Sequence, residues 1–153
     1  QLFTDRAAYV KNVVFNREGS IRKADVIVIP EPNRTRALEN HRSERECDAS
    51  LANRITTLLN IAALQEIDTL IVGAFGCGRQ GFPANQVITQ FKDWIDTHPG
   101  SIANIVFAVP RVHFETFNEA FGIPEPQTTT EPEMKQEEEL FDPSDLPEGV
   151  TLR

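Results

Sequence analysis

The residues in this sequence that are best suited to chemistry lie in the stretch "GAFGCGRQGF", Gly73 to Phe82. Four of its ten residues are glycines, and it stands between an apolar segment and one with helical spacing. Glycine allows consecutive backbone N–H groups to point to one side, and a loop that opens a helix leaves such groups without internal partners. This pattern predicts a loop that binds phosphate or pyrophosphate. The simpler interpretation is a turn whose glycines allow a strand and a helix to pack closely.

We expect the whole loop to contribute to binding, together with one residue of an earlier loop. Arg79 is suited to pair with a phosphate. Phe75 and Phe82 flank the loop, where each ring either lies against a ligand or packs in the core. Cys77 is near a helix start, but no histidine is near it in sequence, so we interpret it as a small packing residue. The candidate ligand-binding residues are Gly73, Ala74, Phe75, Gly76, Cys77, Gly78, Arg79, Gln80, Gly81, Phe82 and Asn33.

Two familiar phosphate loops come close to this spacing. In "GAFGCGRQ" the glycines nearly fit a P-loop, but Arg79 and Gln80 stand where the lysine and the magnesium-binding hydroxyl belong, which disfavours an NTPase. The stretch "GCGRQG" fits G-x-G-x-x-G, so a nicotinamide-dependent oxidoreductase with an NAD- or NADP-binding dinucleotide fold is the alternative. Against it, the next strand ends in "AVPR" without an acid for a ribose hydroxyl, and Pro83 indicates a helix that begins after the third glycine.

The segments around the loop predict alternating strands and helices. Apolar, β-branched runs predict strands at "NVVF", "ADVIVIP", "IDTLIVGAF" and "IANIVFAVP". Helices are predicted after the capping box of Ser43 and Glu46, after Pro83, and at "HFETFNEAF", whereas "EPNRTRALENHR" is expected to be a polar loop. Because the apolar run of "ADVIVIP" is continuous, we expect that strand to be covered on both faces. The order predicts a parallel sheet with helices on both faces.

Three loops should meet at the carboxyl edge of such a sheet, where ligands bind in folds of this class. They span residues 30–33, 75–82 and 110–113, and His113 in the third is expected to cap or pack at a helix start. Apolar residues at helical spacing predict the buried faces of the two longer helices. These residues are Cys47, Leu51, Ile55, Leu58 and Ala62 in one helix and Val87, Phe91, Trp94 and Ile95 in the other.

The charge of the chain is concentrated at its C-terminal end. The formal net charge is -8, yet the residues from Ile123 onward contain nine acids against Lys135 and Arg153. The preceding part is therefore close to neutral, which disfavours direct binding to a nucleic-acid backbone. We predict two units, an α/β domain at 1–122 and an extended or disordered tail at 123–153 that is rich in proline and glutamate. No apolar run is long enough to span a membrane, and two cysteines make neither a disulfide framework nor a metal site.

The stretch "NRITTLLNIAALQEIDTLIVGAFGCGRQGFPANQVITQFKDWI", followed by "IVFAV", resembles the C-terminal half of the microbial-type poly(ADP-ribose) glycohydrolase family. The most specific piece is "GAFGCG", with Pro83 a few residues later, and "NVVF" and "VIVIPEPN" are similar to the family's earlier strand and the loop after it. The resemblance implies a three-layer α/β/α macrodomain-like sandwich with a mostly parallel sheet, and it leaves open whether the domain is complete at its N-terminus. It also implies binding of ADP-ribose, with the glycine loop around the diphosphate.

The same resemblance does not supply a catalytic residue. The family's general acid lies in a glycine-rich loop followed by Gln-Glu-Glu, and nothing before Gly73 matches that motif. The tail stretch "QEEELFDPSDL" has similar letters, but no glycine loop precedes Gln136, so we interpret it as part of an acidic tail. The loop tip also departs from the family at Arg79, Gln80 and Phe82. A hydrolase is therefore implied only if the acid is supplied outside this segment.

The expected partner is ADP-ribose or an ADP-ribosylated protein, with no cofactor, no metal ion, no direct nucleic acid and no membrane. A cytoplasmic location is predicted, or a nuclear one if the source is eukaryotic. Besides the oxidoreductase, a second alternative is a non-catalytic interaction module whose acidic tail recruits a protein. The oligomeric state is not predicted.

Overall fold

The computed structural model of the protein describes residues 6–123, and the last of its elements ends at Phe121. The predicted acidic tail, including "QEEELFDPSDL", therefore lies outside the described residues apart from Ile123. The strands are β1 (Ala8–Arg17), β2 (Ser20–Val28), β3 (Thr69–Val72) and β4 (Asn104–Phe107), and the helices are α1 (Arg34–Glu39), α2 (Glu44–Leu64), α3 (Ala84–Thr97) and α4 (Arg111–Phe121). Within this range, none of the helices is long and apolar enough to cross a bilayer.

The first two strands form an antiparallel hairpin, which differs from the predicted separate parallel strands. They are joined by Glu18 and Gly19, whose φ angles are 51° and 81°. Positive φ at both central residues is the turn geometry that matches the twist of paired strands, so β1 extends beyond the predicted "NVVF" through Asn16 and Arg17. β2 is also largely exposed, with Val28 56% exposed, so the prediction that this strand is covered on both faces is wrong for the described residues.

The third and fourth strands form the predicted parallel pair. Thr69 lies opposite Asn104 and Val72 opposite Phe107. Leu70 and Val72 face the buried core, whereas Ile71 on the opposite face is 70% exposed. The α/β fold class is confirmed, with one parallel and one antiparallel strand pair among the described residues.

The two long helices supply most of the core. α2 begins with the predicted capping box, in which the Ser43 hydroxyl accepts from the amide of Glu46 and the Glu46 carboxylate accepts from the amide of Ser43. The predicted stripe of α2 is buried along its full length, and so is most of the predicted face of α3. Trp94 is buried as expected, and its indole N–H donates to the Asn60 side chain at 2.9 Å, which joins α3 to α2.

The segment expected to be a polar loop contains the short helix α1 instead. The side chain of Asn33 caps it by accepting from the amide of Arg36 at 2.9 Å. Ala37 is buried against the core, and Pro32 just before the helix is fully buried. A six-residue helix with one buried side chain leaves almost no periodic signal in the sequence, which explains why the pattern did not indicate it.

Candidate ligand-binding site

The glycine loop leaves the carboxyl end of β3 and leads into α3. Its base is fixed by the parallel pair, because the amide of Ala108 after β4 donates to the carbonyl of Val72 at 2.8 Å. Gly73 lies beside the carbonyl of Ala108, at ordinary contact distance for an added β-carbon. The loop therefore occupies the edge of the sheet where ligands of α/β folds are found, as the sequence predicted.

The loop is held in shape by hydrogen bonds among its own backbone groups. Four of its amides donate to loop carbonyls: Phe75 to Gly73 at 2.9 Å, Cys77 to Ala74 at 3.0 Å, Gly81 to Gly78 at 3.0 Å and Phe82 to Gly76 at 3.0 Å. These donors are not available to a ligand without breaking the loop. Of the candidate residues, these four therefore offer a ligand no free backbone donor.

Two pairs of consecutive amides remain open. Within residues 6–123, the N–H groups of Gly73 and Ala74, and those of Gly78 and Arg79, have no hydrogen-bond acceptor. The second pair opens a single 3₁₀ turn, Gly78–Gln80, and both of its residues are exposed. Consecutive open N–H groups are the donors from which an anion-binding nest is built.

Three glycines of the loop have φ angles in the left-handed region, 80° at Gly76, 69° at Gly78 and 86° at Gly81. They differ in their surroundings. A β-carbon on Gly76 would lie 3.0 Å from Leu51 and 3.2 Å from Phe82, and one on Gly81 would overlap the Thr35 hydroxyl. Nothing lies within 4 Å of the corresponding position on Gly78. Packing thus explains Gly76 and Gly81, whereas the space beside Gly78 is open to a ligand.

The loop before α1 contributes one carboxylate to the site. Glu31 accepts the amide of Gly76 at 3.0 Å, a part-buried contact between residues 45 positions apart in the chain. Thr35 on α1 meets Gly81 nearby. Two of the three loops that were expected to gather at this edge are therefore in contact. The third, at 110–113, opens α4 with Pro110 as the N-cap and a half-buried His113.

The cysteine of the loop has the properties of a packing residue. Burial raises the pKa of the Cys77 thiol, and the nearby Glu31 carboxylate raises it further. The thiol is therefore protonated at neutral pH, unlike the thiolate of a nucleophilic cysteine. Both cysteines are free, and Cys47 is fully buried in α2.

The two aromatic residues of the loop face the protein interior. Phe75 is 7% and Phe82 is 3% exposed, so both belong to the core. Asn33, the candidate from the earlier loop, uses its side-chain oxygen to cap α1. Arg79 is exposed at the tip, and no ion pair within the described range holds its guanidinium. Among the candidate ligand-binding residues, Arg79 therefore has the charged side chain that is available to pair with a ligand.

A cavity of about 860 Å³ extends away from the loop. At the loop it is lined by Glu31, Gly73, Phe75 and Gln80, and the remainder is lined by residues of β1, β2 and β3 and by Leu58 of α2. The Oε1 atom of Gln80 is buried there without a hydrogen-bond partner in the described part of the chain. Sequence reasoning did not identify Glu31, because one acid in a loop after a strand carries no pattern that distinguishes it.

Solved structures indicate the family to which this arrangement is similar. Poly(ADP-ribose) glycohydrolase from Deinococcus radiodurans in complex with ADP-ribose aligns with a TM-score of 0.69 and 25% identity, over 78% of this chain and 53% of that chain. A mutant of the Thermomonospora curvata enzyme aligns with a TM-score of 0.68 and 28% identity, over 78% and 50%. The T. curvata enzyme bound to the inhibitor ADP-HPD aligns with a TM-score of 0.66 and 26% identity, over 78% and 50%. The chain has a poly(ADP-ribose) glycohydrolase-like macrodomain fold.

The resemblance to poly(ADP-ribose) glycohydrolases that the sequence predicted is thereby confirmed. The chain spans about half the length of the glycohydrolases it matches. No protein-family model matches the sequence, and no curated protein gives a significant match. The geometry agrees with a glycohydrolase-like loop rather than a dinucleotide fingerprint, because α3 begins at Ala84, after the last glycine of G-x-G-x-x-G.

Proposed function

We propose that the chain binds ADP-ribose, or a related nucleotide diphosphate, through the glycine loop, as part of a poly(ADP-ribose) glycohydrolase-like protein. The observation that carries this proposal is the pair of open, exposed amides at Gly78 and Arg79. The likeness to glycohydrolases solved with ADP-ribose and with ADP-HPD supports the choice of ligand.

The open groups suit a diphosphate in number and in charge. Two pairs of adjacent N–H groups, at Gly73–Ala74 and at Gly78–Arg79, supply donors for two phosphate groups. A hydrogen bond to a charged acceptor contributes about 1.5–3 kcal/mol, roughly twice the contribution of a neutral one. The Arg79 guanidinium adds a positive charge at the tip. Phe75 and Phe82 are buried beneath the loop, and their packing in the core keeps the loop rigid.

Hydrolysis belongs to the proposal only if a carboxylic acid is supplied by residues outside 6–123. None of the described residues is assigned as the general acid, and the tail stretch with Gln-Glu-Glu lies outside that range. In a longer protein of this kind, the substrate would be an ADP-ribosylated protein. The two free cysteines fit a reducing compartment, which supports a cytoplasmic location, or a nuclear one in a eukaryote.

The ligand can be identified by calorimetric titration of the 153-residue chain with ADP-ribose, NAD and ATP. We expect ADP-ribose to bind more tightly than NAD or ATP, because a glycohydrolase-like loop binds a diphosphate that is attached to a free terminal ribose. Binding of NAD without binding of free ADP-ribose would replace this proposal with the oxidoreductase alternative.

The role of the loop can be tested with a matched pair of glycine variants. Gly78 and Gly100 have similar φ angles, 69° and 73°, and neither has an atom within 4 Å of an added β-carbon. Gly78→Val and Gly100→Val therefore introduce the same backbone strain, but only the first places a side chain beside the open amides. We expect Gly78→Val to weaken ADP-ribose binding at least about tenfold, or about 1.4 kcal/mol, while Gly100→Val leaves it unchanged. Equal affinities would show that the loop only packs.

A further inference from the structure

The glycine loop already binds one negatively charged group of the protein itself. Oε1 of Glu31 accepts the amide of Gly76 at 3.0 Å. Gly76 stands between the two pairs of open amides, at Gly73–Ala74 and at Gly78–Arg79. The carboxylate therefore occupies the middle of the row of backbone donors along the loop.

The Glu31 carboxylate is close enough to act on a ligand at either pair of amides. The nitrogens of residues two positions apart are at most about 7 Å from each other, so the Ala74 and Gly78 nitrogens lie within about 10 Å of the Glu31 oxygen. This distance is about one Debye length at 0.1 M salt, so the interaction is not fully screened. Burial and, after it, the Glu31 carboxylate raise the pKa of the Cys77 thiol, which shows that the charge acts on this part of the loop.

The charges of the loop region sum to zero. None of the ion pairs described within residues 6–123 involves Glu31. Arg79 is the one charged residue of the stretch Gly73–Phe82, and its positive charge balances that of the carboxylate. Attraction for an anion then comes mainly from the open N–H groups, which suits a ligand of low charge.

The groups beside Glu31 favour a hydrogen-bond donor over a further phosphate. The Oε1 atom of Gln80 lines the same end of the cavity, and it is buried without a hydrogen-bond partner in the described part of the chain. A carboxylate and an amide oxygen therefore adjoin the open amides. A terminal phosphate carries about two negative charges at pH 7 and is repelled by the carboxylate. A ribose in its place is uncharged and offers hydroxyl donors.

On the basis of the proposed function, we infer that Glu31 determines ligand specificity, because it makes the loop select a diphosphate esterified at both ends, as in ADP-ribose, over one that ends in a free phosphate, as in ADP. Its hydrogen bond holds Gly76 in the left-handed conformation that shapes the loop, with a φ angle of 80°. Its charge weakens the binding of any ligand that carries an additional negative charge. Repulsion of the wrong ligand is a general route to specificity.

The test compares ADP-ribose with ADP by calorimetric titration of the 153-residue chain and of Glu31→Gln. The two ligands share the adenosine diphosphate, and ADP replaces the terminal ribose with an additional negative charge. Glu31→Gln removes the charge of the carboxylate but keeps an oxygen that can accept the Gly76 amide. One unit charge at about 10 Å, with a dielectric between those of protein and water, corresponds to about threefold in affinity. We therefore expect the ratio of the ADP-ribose and ADP affinities to fall about threefold in Glu31→Gln.

Two further variants separate the charge from the hydrogen bond. Glu39→Gln makes the same change in net charge at an exposed position at the end of α1, so we expect the affinity ratio to stay unchanged. Glu31→Ala removes the charge and the acceptor together, which leaves the buried Gly76 amide without its partner. We expect faster hydrogen exchange at Gly76 in this variant, and weaker binding of both ligands than in Glu31→Gln.

The reactivity of Cys77 reports the charge of Glu31 without any ligand. Alkylation by iodoacetamide is followed as a function of pH by mass spectrometry of the peptide that contains Cys77. We expect the pH profile to move to lower pH in Glu31→Gln, because loss of the carboxylate lowers the pKa of the thiol, and to stay in place in Glu39→Gln.

The outcomes distinguish this inference from the proposed function on which it rests. An unchanged affinity ratio in Glu31→Gln, or an equal change in Glu39→Gln, would overturn the inference and leave ADP-ribose binding intact. Binding of ADP to the parent chain at least as tightly as ADP-ribose would overturn it as well. Absence of ADP-ribose binding to the parent chain would overturn the proposed function, and the role of Glu31 with it.

Discussion

The contact between the glycine loop and α1 gives a prediction that can be worked out from distances. Gly81 has a φ angle of 86°, and a β-carbon added to it would overlap the hydroxyl oxygen of Thr35 and lie 3.4 Å from the Thr35 amide. Gly81→Ala therefore adds two costs, left-handed strain of about 1–2 kcal/mol and overpacking of about 1–3 kcal/mol. We expect a loss of about 2–5 kcal/mol in the free energy of unfolding.

A substitution at Gly19 measures the backbone strain without the overpacking. Its φ angle is 81°, and nothing lies within 4 Å of an added β-carbon. Gly19→Ala should therefore cost only the strain, about 1–2 kcal/mol. Thr35→Ala removes the overlapping oxygen while the Thr35 β-carbon stays at an ordinary 3.6 Å. In the Thr35→Ala background the cost of Gly81→Ala should fall to that of Gly19→Ala, so the coupling energy equals the overpacking cost, about 1–3 kcal/mol.

The measurement is urea-induced unfolding of the four variants and the parent chain, analysed as a double-mutant cycle. Thermal melts provide a second reading, since about 1 kcal/mol corresponds to a shift of about 4 °C in Tm for a domain of this size. If Gly81→Ala costs no more than Gly19→Ala, or if Thr35→Ala rescues nothing, the loop is not anchored on α1 in the way described.

Three further predictions concern stability and reactivity. Asn60→Ala leaves the buried indole N–H of Trp94 without its acceptor and should lower the unfolding free energy by about 1–3 kcal/mol in urea melts, whereas a neutral effect would mean that water replaces the amide. Ser43→Ala should cost about 1 kcal/mol at neutral pH. The bonds that the Glu46 carboxylate accepts from the Ser43 amide and hydroxyl lower its pKa, and Ser43→Ala removes only the one from the hydroxyl. That part of the cap is present above the ordinary pKa of 4.5 and is lost as the pH falls through the lower folded value, so the difference between the two chains should narrow in acid melts without vanishing, since the bond from the Glu46 amide to the Ser43 hydroxyl does not titrate. The Cys77 thiol, with its pKa raised above 9.0, should react with iodoacetamide slowly at pH 8 and faster only above pH 9, and rapid reaction at pH 7 would contradict its burial beside Glu31.

The sequence identified those elements whose ends and faces carry strong local signals. α2 was predictable because a capping box marks its start and a continuous apolar stripe marks its buried face. β3 and β4 were predictable because short β-branched runs stand between turn residues. In each case the local preference and the tertiary packing favour the same structure, so pattern and structure agree.

The elements that the sequence did not indicate depend on contacts between distant residues. The hairpin turns at Glu18–Gly19, which lacks the asparagine or aspartate that usually marks such turns. α1 is stabilised by its Asn33 cap and by Ala37 in the core rather than by any periodicity of its own. The division of the loop into open and occupied amides depends partly on Glu31, 45 residues away, and no local pattern encodes that partner.

The internal hydrogen bonds of the loop have a consequence for how the site can diversify. Since the amides of Phe75, Gly76, Cys77, Gly81 and Phe82 are satisfied within the protein, the loop keeps its shape without any guest. Binding of a ligand therefore costs the loop little conformational entropy. Substitutions at Arg79 and Gln80 can therefore be accepted during evolution without loss of the loop's backbone conformation. A site of this kind can change its ligand specificity through one or two substitutions at the tip of the loop. We therefore expect sequence differences between related chains to accumulate at Arg79 and Gln80.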